Sequence, residues 1–171
     1  MQDTLTRYLA GFPQERERAY LRAILAPVLD RFSTRALTNS TLVIKTGGSA
    51  LAKTGAADSY FTVQGVPVKV AASTDQAALS GTVVNATFNV FCFYVDSAGA
   101  LTSAMGTAGA TLGAARFPVP PEGKCLVGFV IINPTGSGNF VGGTTALDDG
   151  TVVPNAVYVS PVGPFDPSVL L

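Results

Sequence analysis

The chain has 171 residues, enough for one domain with a core of its own and an appended arm. Hydrophobic residues make up 47% and charged residues 13%, about half the usual share of charge, and the formal net charge is zero, so the overall charge favours neither nucleic acid nor an anionic membrane. There is no histidine, which excludes Ser-His-Asp and Cys-His catalysis and any histidine metal site, and two cysteines are too few for a four-thiolate zinc site.

Charge is unevenly distributed. Ten of the 22 charged residues fall in the first 35 positions, and this shift in composition marks a boundary near residues 33 to 40. The opening residues lack a cationic stretch followed by an apolar one, so no secretory leader is expected. Asp3 suits the cap of a short helix through Ala10, stopped by Gly11. Pro13 suits the first turn of a second helix, with Glu15 and Glu17 near its positive end. Along that helix Leu21, Ile24, Leu25, Val28, Leu29 and Phe32 recur at the three-and-four spacing of one face. Pro27 removes one backbone donor and predicts a kink or a split. The stripe spans about two heptads, too short to stand alone as a coiled coil, so it must pack on its own β domain, on a sister subunit or on a larger surface.

From there the pattern is β. Residues 41–45 (TLVIK), 59–64 (SYFTVQ) and 66–70 (VPVKV) are short β-prone runs separated by turn residues. Residues 87–95 (TFNVFCFYV) and 124–133 (KCLVGFVIIN) are the strongest strands, and both are apolar at adjacent positions. Both of their faces should therefore be covered, which places them centrally. Cys92 and Cys125 lie in these runs and read as buried free thiols, since cysteine behaves as a small hydrophobe. Residues 105–115 (MGTAGATLGAA) read as a connection, and Val152, Val153 and residues 156–159 as a last, proline-flanked edge strand. The tail from Ser160 to Pro167 should run extended, with Phe165, Leu170 and Leu171 free to anchor on a neighbour. The fold class expected is mainly β: an antiparallel sandwich or jelly-roll-like domain over residues 38–160, with a helical arm over 1–37 and a Pro-rich tail over 161–171.

Chemistry-bearing motifs are sparse. Asp58, Asp75, Asp96, Glu122, Asp148, Asp149 and Asp166 mostly stand singly in predicted turns, where aspartate bonds to local backbone. Asp148-Asp149-Gly150 lacks the spacing and the closing glutamate of a calcium loop and reads as a turn. Residues 47–54 (GGSALAKT) nearly match a phosphate-binding loop. Ala52 stands where the second glycine belongs, and a β run follows where a helix must start. Without that helix N-terminus the cradle loses its dipole and part of its ring of donors, so a hairpin connection is expected. Arg16, Arg18 and Arg22 form a basic patch, but the interleaved Glu15 and Glu17 and the lack of interspersed aromatics favour a solvated face or a protein partner over nucleic acid.

The β part resembles virion structural proteins of tailed bacteriophages. The resemblance is carried by residues 41–45, 78–83 (ALSGTV), 89–93 (NVFCF), 128–136 (GFVIINPTG) and above all 139–149 (NFVGGTTALDD), within a span of about 38 to 165. It implies a non-enzymatic component of the virion, on the capsid surface, of the decoration (cement) type. Such a protein works as a homotrimer that binds the major capsid protein and clamps capsomer joints. A head-fibre or tail component that binds a host glycan or receptor is the alternative. No catalytic, metal or cofactor residues come with the resemblance, and none is expected. The expected partner contacts are Leu21, Ile24, Leu25, Val28 and Phe32 as apolar anchors, with Arg16, Arg18 and Arg22 as rim charges; neither nucleic acid nor membrane is expected as a partner.

Overall fold

The computed structural model describes residues 14–165, and the side chains of residues 18–26 and 33–165. It divides into two compact units, residues 1–32 and 33–171. Among the described residues of the first, the helix α1 begins, running over Gln14–Ser33. The predicted helix of residues 3–10 lies outside the described residues. Of the kink or split expected at Pro27, the split does not occur: α1 continues through that residue. A proline removes one donor from the ladder, but the helical bonds on either side can still hold the turn.

The second unit is mainly β. It contains β1 (Arg35–Ala36), β2 (Val43–Ile44), β3 (Ala52–Lys53), β4 (Ser59–Val63), β5 (Val66–Val70), β6 (Thr82–Val83), β7 (Asn89–Asp96), β8 (Leu101–Met105), β9 (Lys124–Ile132), β10 (Phe140–Val141) and β11 (Val157–Val159). All strand pairs are antiparallel. A four-stranded sheet in the order β11-β9-β7-β8 shares one core with a three-stranded sheet, β1-β4-β5, and two short ribbons, β2-β3 and β6-β10, add Ala52, Val83 and Phe140 to it. The arrangement is sandwich-like, with β7 and β9 central and β11 at an edge, as their sequences predict.

The main core lies between the two larger sheets. It takes Ala36, Phe61, Val63, Val68 and Val70 from one side and Phe91, Phe93, Val95, Val127, Val130 and Ile132 from the other. In β9 the inward residues change phase, because a bulge opposite Phe93 and Tyr94 inserts Val127 as an extra residue. The bulge leaves the Val127 carbonyl outside the ladder, and the buried Ser40 hydroxyl donates to it at 2.8 Å. Gly128 follows. A Cβ there would stand 2.5 Å from Leu42 Cδ1 and 2.7 Å from the Val159 carbonyl, so only glycine lets residues 40–42 pack this closely on β9.

The opposite face of the four-stranded sheet carries Val90, Cys92, Tyr94, Leu126 and Phe129. It is covered by loop residues and by the tail. Phe117 meets Phe129 edge-on at 5.0 Å, and Phe165 stacks on Phe129 at 5.9 Å. Through residue 165 the tail lies along this domain. Gly163 bridges to Ala36, and Phe165 completes this domain's own second core. Burying an aromatic ring here removes more apolar area from water than an extended arm would. Leu170 and Leu171 lie outside the described residues. At the other boundary, residues 35–37 were expected in the helical arm, yet Arg35 and Ala36 pair with Thr62 and Phe61 and belong to the β unit.

A strand over Leu101–Met105 was not anticipated, and the segment after it is a folded connection. Gly109 bridges to Phe88, and Arg116 to Thr107. The β4–β5 hairpin turns on Gln64 and Gly65, both at positive φ (50° and 80°), the geometry that favours Asn-Gly. Gln64→Asn is therefore expected to stabilise the domain by about 0.5–1 kcal/mol, read as a raised midpoint in urea denaturation. An unchanged midpoint would show that the turn carries no such strain.

Candidate interaction surface

The residues expected to meet a partner lie on α1. Arg18, Leu21, Arg22, Ile24 and Leu25 are all exposed. The side chains of Arg16, Val28 and Phe32 lie outside the described residues. Tyr20 joins the apolar group; it is 67% exposed, against 53% for Leu21, 47% for Ile24 and 48% for Leu25. At 3.6 residues per turn these four cover an arc of about 140°. Arg18 and Arg22 fall along one edge of that arc, as rim charges do. The sequence reading missed Tyr20, although its four-residue spacing to Ile24 was the available signal.

Four large apolar side chains held in water on one helix face cost free energy that burial against a partner would recover, roughly 1.5–3 kcal/mol for each one fully buried. An exposed contiguous patch of this sort is characteristic of an interaction site.

The β unit has a smaller apolar row. The Leu37 N–H donates to the Tyr60 carbonyl at 2.9 Å, and the bridge between Ala36 and Gly163 sets Val162 on the other side of Leu37. All three side chains are exposed, on the outer face of the β1-β4-β5 sheet. Lys69 stands opposite Tyr60 across the next ladder and is paired with Asp58 at 3.2 Å. The Ala72 N–H, and then Lys69, hold the Asp58 carboxyl below its ordinary value.

The decoy motifs resolve into architecture. Residues 45–51 connect β2 to β3 as a hairpin. The Gly48 N–H there donates to the carboxylate of Asp148, at 3.0 Å from both oxygens. Lys45 is paired with Asp75, and the Thr54 hydroxyl donates to the Ala71 carbonyl at 2.9 Å. The strand that follows in place of a helix N-terminus deprives this loop of the donors a phosphate needs. Asp149 closes a turn, its Oδ1 accepting from the N–H groups of Thr151 and Val152 at 2.8 and 3.2 Å.

Cys92 and Cys125 are buried and free. Desolvation pushes both thiols up to about 12, so they stay neutral at physiological pH and are poor nucleophiles. Among the described residues no group of three or more potential ligands is placed to hold a metal, and no helix is long and apolar enough to cross a membrane. No protein-family model, curated protein or solved structure matches this chain.

Proposed function

We propose that this chain is a non-enzymatic virion structural protein of the capsid decoration (cement) type. In this reading it binds the outer shell as a homotrimer and stabilises the joints between capsomers. The observation that carries the reading is the apolar face of α1, with Tyr20, Leu21, Ile24 and Leu25 exposed on a unit distinct from a β domain that has two closed cores of its own. A domain that folds around itself and leaves a helix face open suits a component that completes its burial only on assembly. The helix docks on the major capsid protein, its apolar side chains supplying affinity and Arg18 and Arg22 the register. The row of Leu37, Tyr60 and Val162 supplies self-contact between β domains. Each copy then adds buried area across a joint that internal pressure would open.

The test is the solution mass, by light scattering, of the full chain and of a chain lacking residues 1–32, together with sedimentation of each with capsid shells. The expected result is a trimer in both cases, with shell binding lost in the shortened chain. A monomer in both would overturn the reading, and titration against host glycans would then address the alternative of a fibre or tail component.

A further inference from the structure

An unpaired sheet edge offers its N–H and C=O groups to any strand that comes alongside, and most edges of the β unit are blunted against this. The Tyr60 carbonyl accepts from the Leu37 N–H, away from β5. Tyr60 and Lys69 are therefore a non-bonded pair across the β4–β5 ladder, as are Thr62 and Pro67, and both β5 residues face outward. Pro67 has no N–H to offer, and Lys69 brings a charge to the edge. Gly163 bridges to Ala36 on the outer side of β1. The edge strand β11 is three residues long and lies between Pro154 and Pro161.

The edge strand β8 has none of these devices. Its five residues, Leu101–Met105, include no charge, proline or glycine. The Gly106 N–H donates to the Val90 carbonyl at 2.8 Å, and the Asp96 N–H donates to the Ala100 carbonyl at 3.1 Å. The ladder alternates between these two points. Thr102 and Ala104 therefore bond to β7, and Leu101, Ser103 and Met105 turn their N–H and C=O groups outward. Among the described residues those outward backbone groups have no hydrogen-bond partner. Ser103 meets the neighbouring segment through its hydroxyl, which donates to the Ala78 carbonyl at 2.7 Å. Leu101 and Met105 lie on one face of the strand, half-buried against the main core.

The sequence continues past Phe165 into a stretch that suits this edge. Residues 167–171 (PSVLL) have no charged side chain, and at a period of two Val169 and Leu171 fall on one face. Six extended residues beyond Phe165 reach about 20 Å. We propose that residues 168–171 of one copy add as a strand to the β8 edge of the next copy. The backbone bonds go to Leu101, Ser103 and Met105, and Val169 and Leu171 pack beside Leu101 and Met105. The exchange is head-to-tail, so three copies close into a ring. This strand exchange rests on the trimer of the proposed function and supplies a contact that closes it.

The test is amide hydrogen exchange with light scattering on the full chain, as wild type, as Val169→Asp with Leu171→Asp, and as Ser103→Pro. In wild type the outward N–H groups of Leu101, Ser103 and Met105 should exchange about 100-fold more slowly than in the tail variant, with Thr102 and Ala104 protected in both. Both variants should associate at least about tenfold more weakly. Ser103→Pro removes an N–H that the chain's own ladder does not use; if it fails to fold, the tail variant carries the test. A wild-type trimer in which the three outward amides exchange freely would overturn the strand exchange and leave the trimer standing. Protection that survives the tail variant would give the edge to another occupant and also overturn it. A wild-type monomer would overturn both, and a dimer with tail-dependent protection would keep the exchange and remove the trimer.

Discussion

Phe91→Ala is expected to destabilise the β unit by about 3–5 kcal/mol, a large share of the 5–15 kcal/mol that holds a typical domain together. Phe91 is fully buried in the main core, on the central strand β7, and contacts Phe140 edge-on at 5.8 Å. The loss has two parts. Transfer of the ring out of an apolar site and the cavity it leaves account for most, and the aromatic pair adds about 0.5–1.5 kcal/mol. Phe140 sits on β10, whose pairing with β6 covers only two residues on each side, so the ring contact helps hold that ribbon against the core. Urea denaturation of wild type, both single alanine variants and the double variant measures the coupling. A cost below about 1 kcal/mol for Phe91→Ala would mean that the core closes over the gap, and that its packing is looser than the contacts imply.

The second large effect is expected in binding and not in stability. Leu21→Glu with Leu25→Glu leaves helix propensity nearly unchanged and alters two side chains that are already in water, so the thermal midpoint should stay within a degree or two. At a docked interface the same pair would bury two carboxylates without partners. Two apolar anchors of the usual weight contribute about 2 kcal/mol each, so on the proposed decoration role affinity for capsid shells should fall by roughly 100-fold or more. Shell binding at wild-type strength would remove α1 as the anchor and direct attention to the Leu37, Tyr60 and Val162 row. A large drop in thermal midpoint would show instead that the helix face packs within the isolated protein.

Elements whose patterns are long and unambiguous are legible in the chain alone. Apolar residues at every position from Val90 to Val95, and nearly so from Cys125 to Ile132, require cover on both faces, and these became the central strands. The spacing of Leu21, Ile24 and Leu25 marked one side of a helix, and the β run after the glycine-rich residues 47–54 ruled out a phosphate cradle; both readings rest on neighbours close in sequence. Where distant segments meet depends on the folded chain as a whole. The strands β1, β6 and β10 are only two residues long, and they exist because Thr62, Phe61, Val83 and Phe140 offer them ladders far along the chain. Leu101–Met105 has a weak local preference and becomes a strand because Phe91–Val95 lies alongside it. Phe165, in a Pro-rich tail, has no periodicity to place it; its position follows from the gap beside Phe117 and Phe129. Local periodicity encodes which face of an element is buried, whereas the partner of that face depends on loop closures that no short window contains.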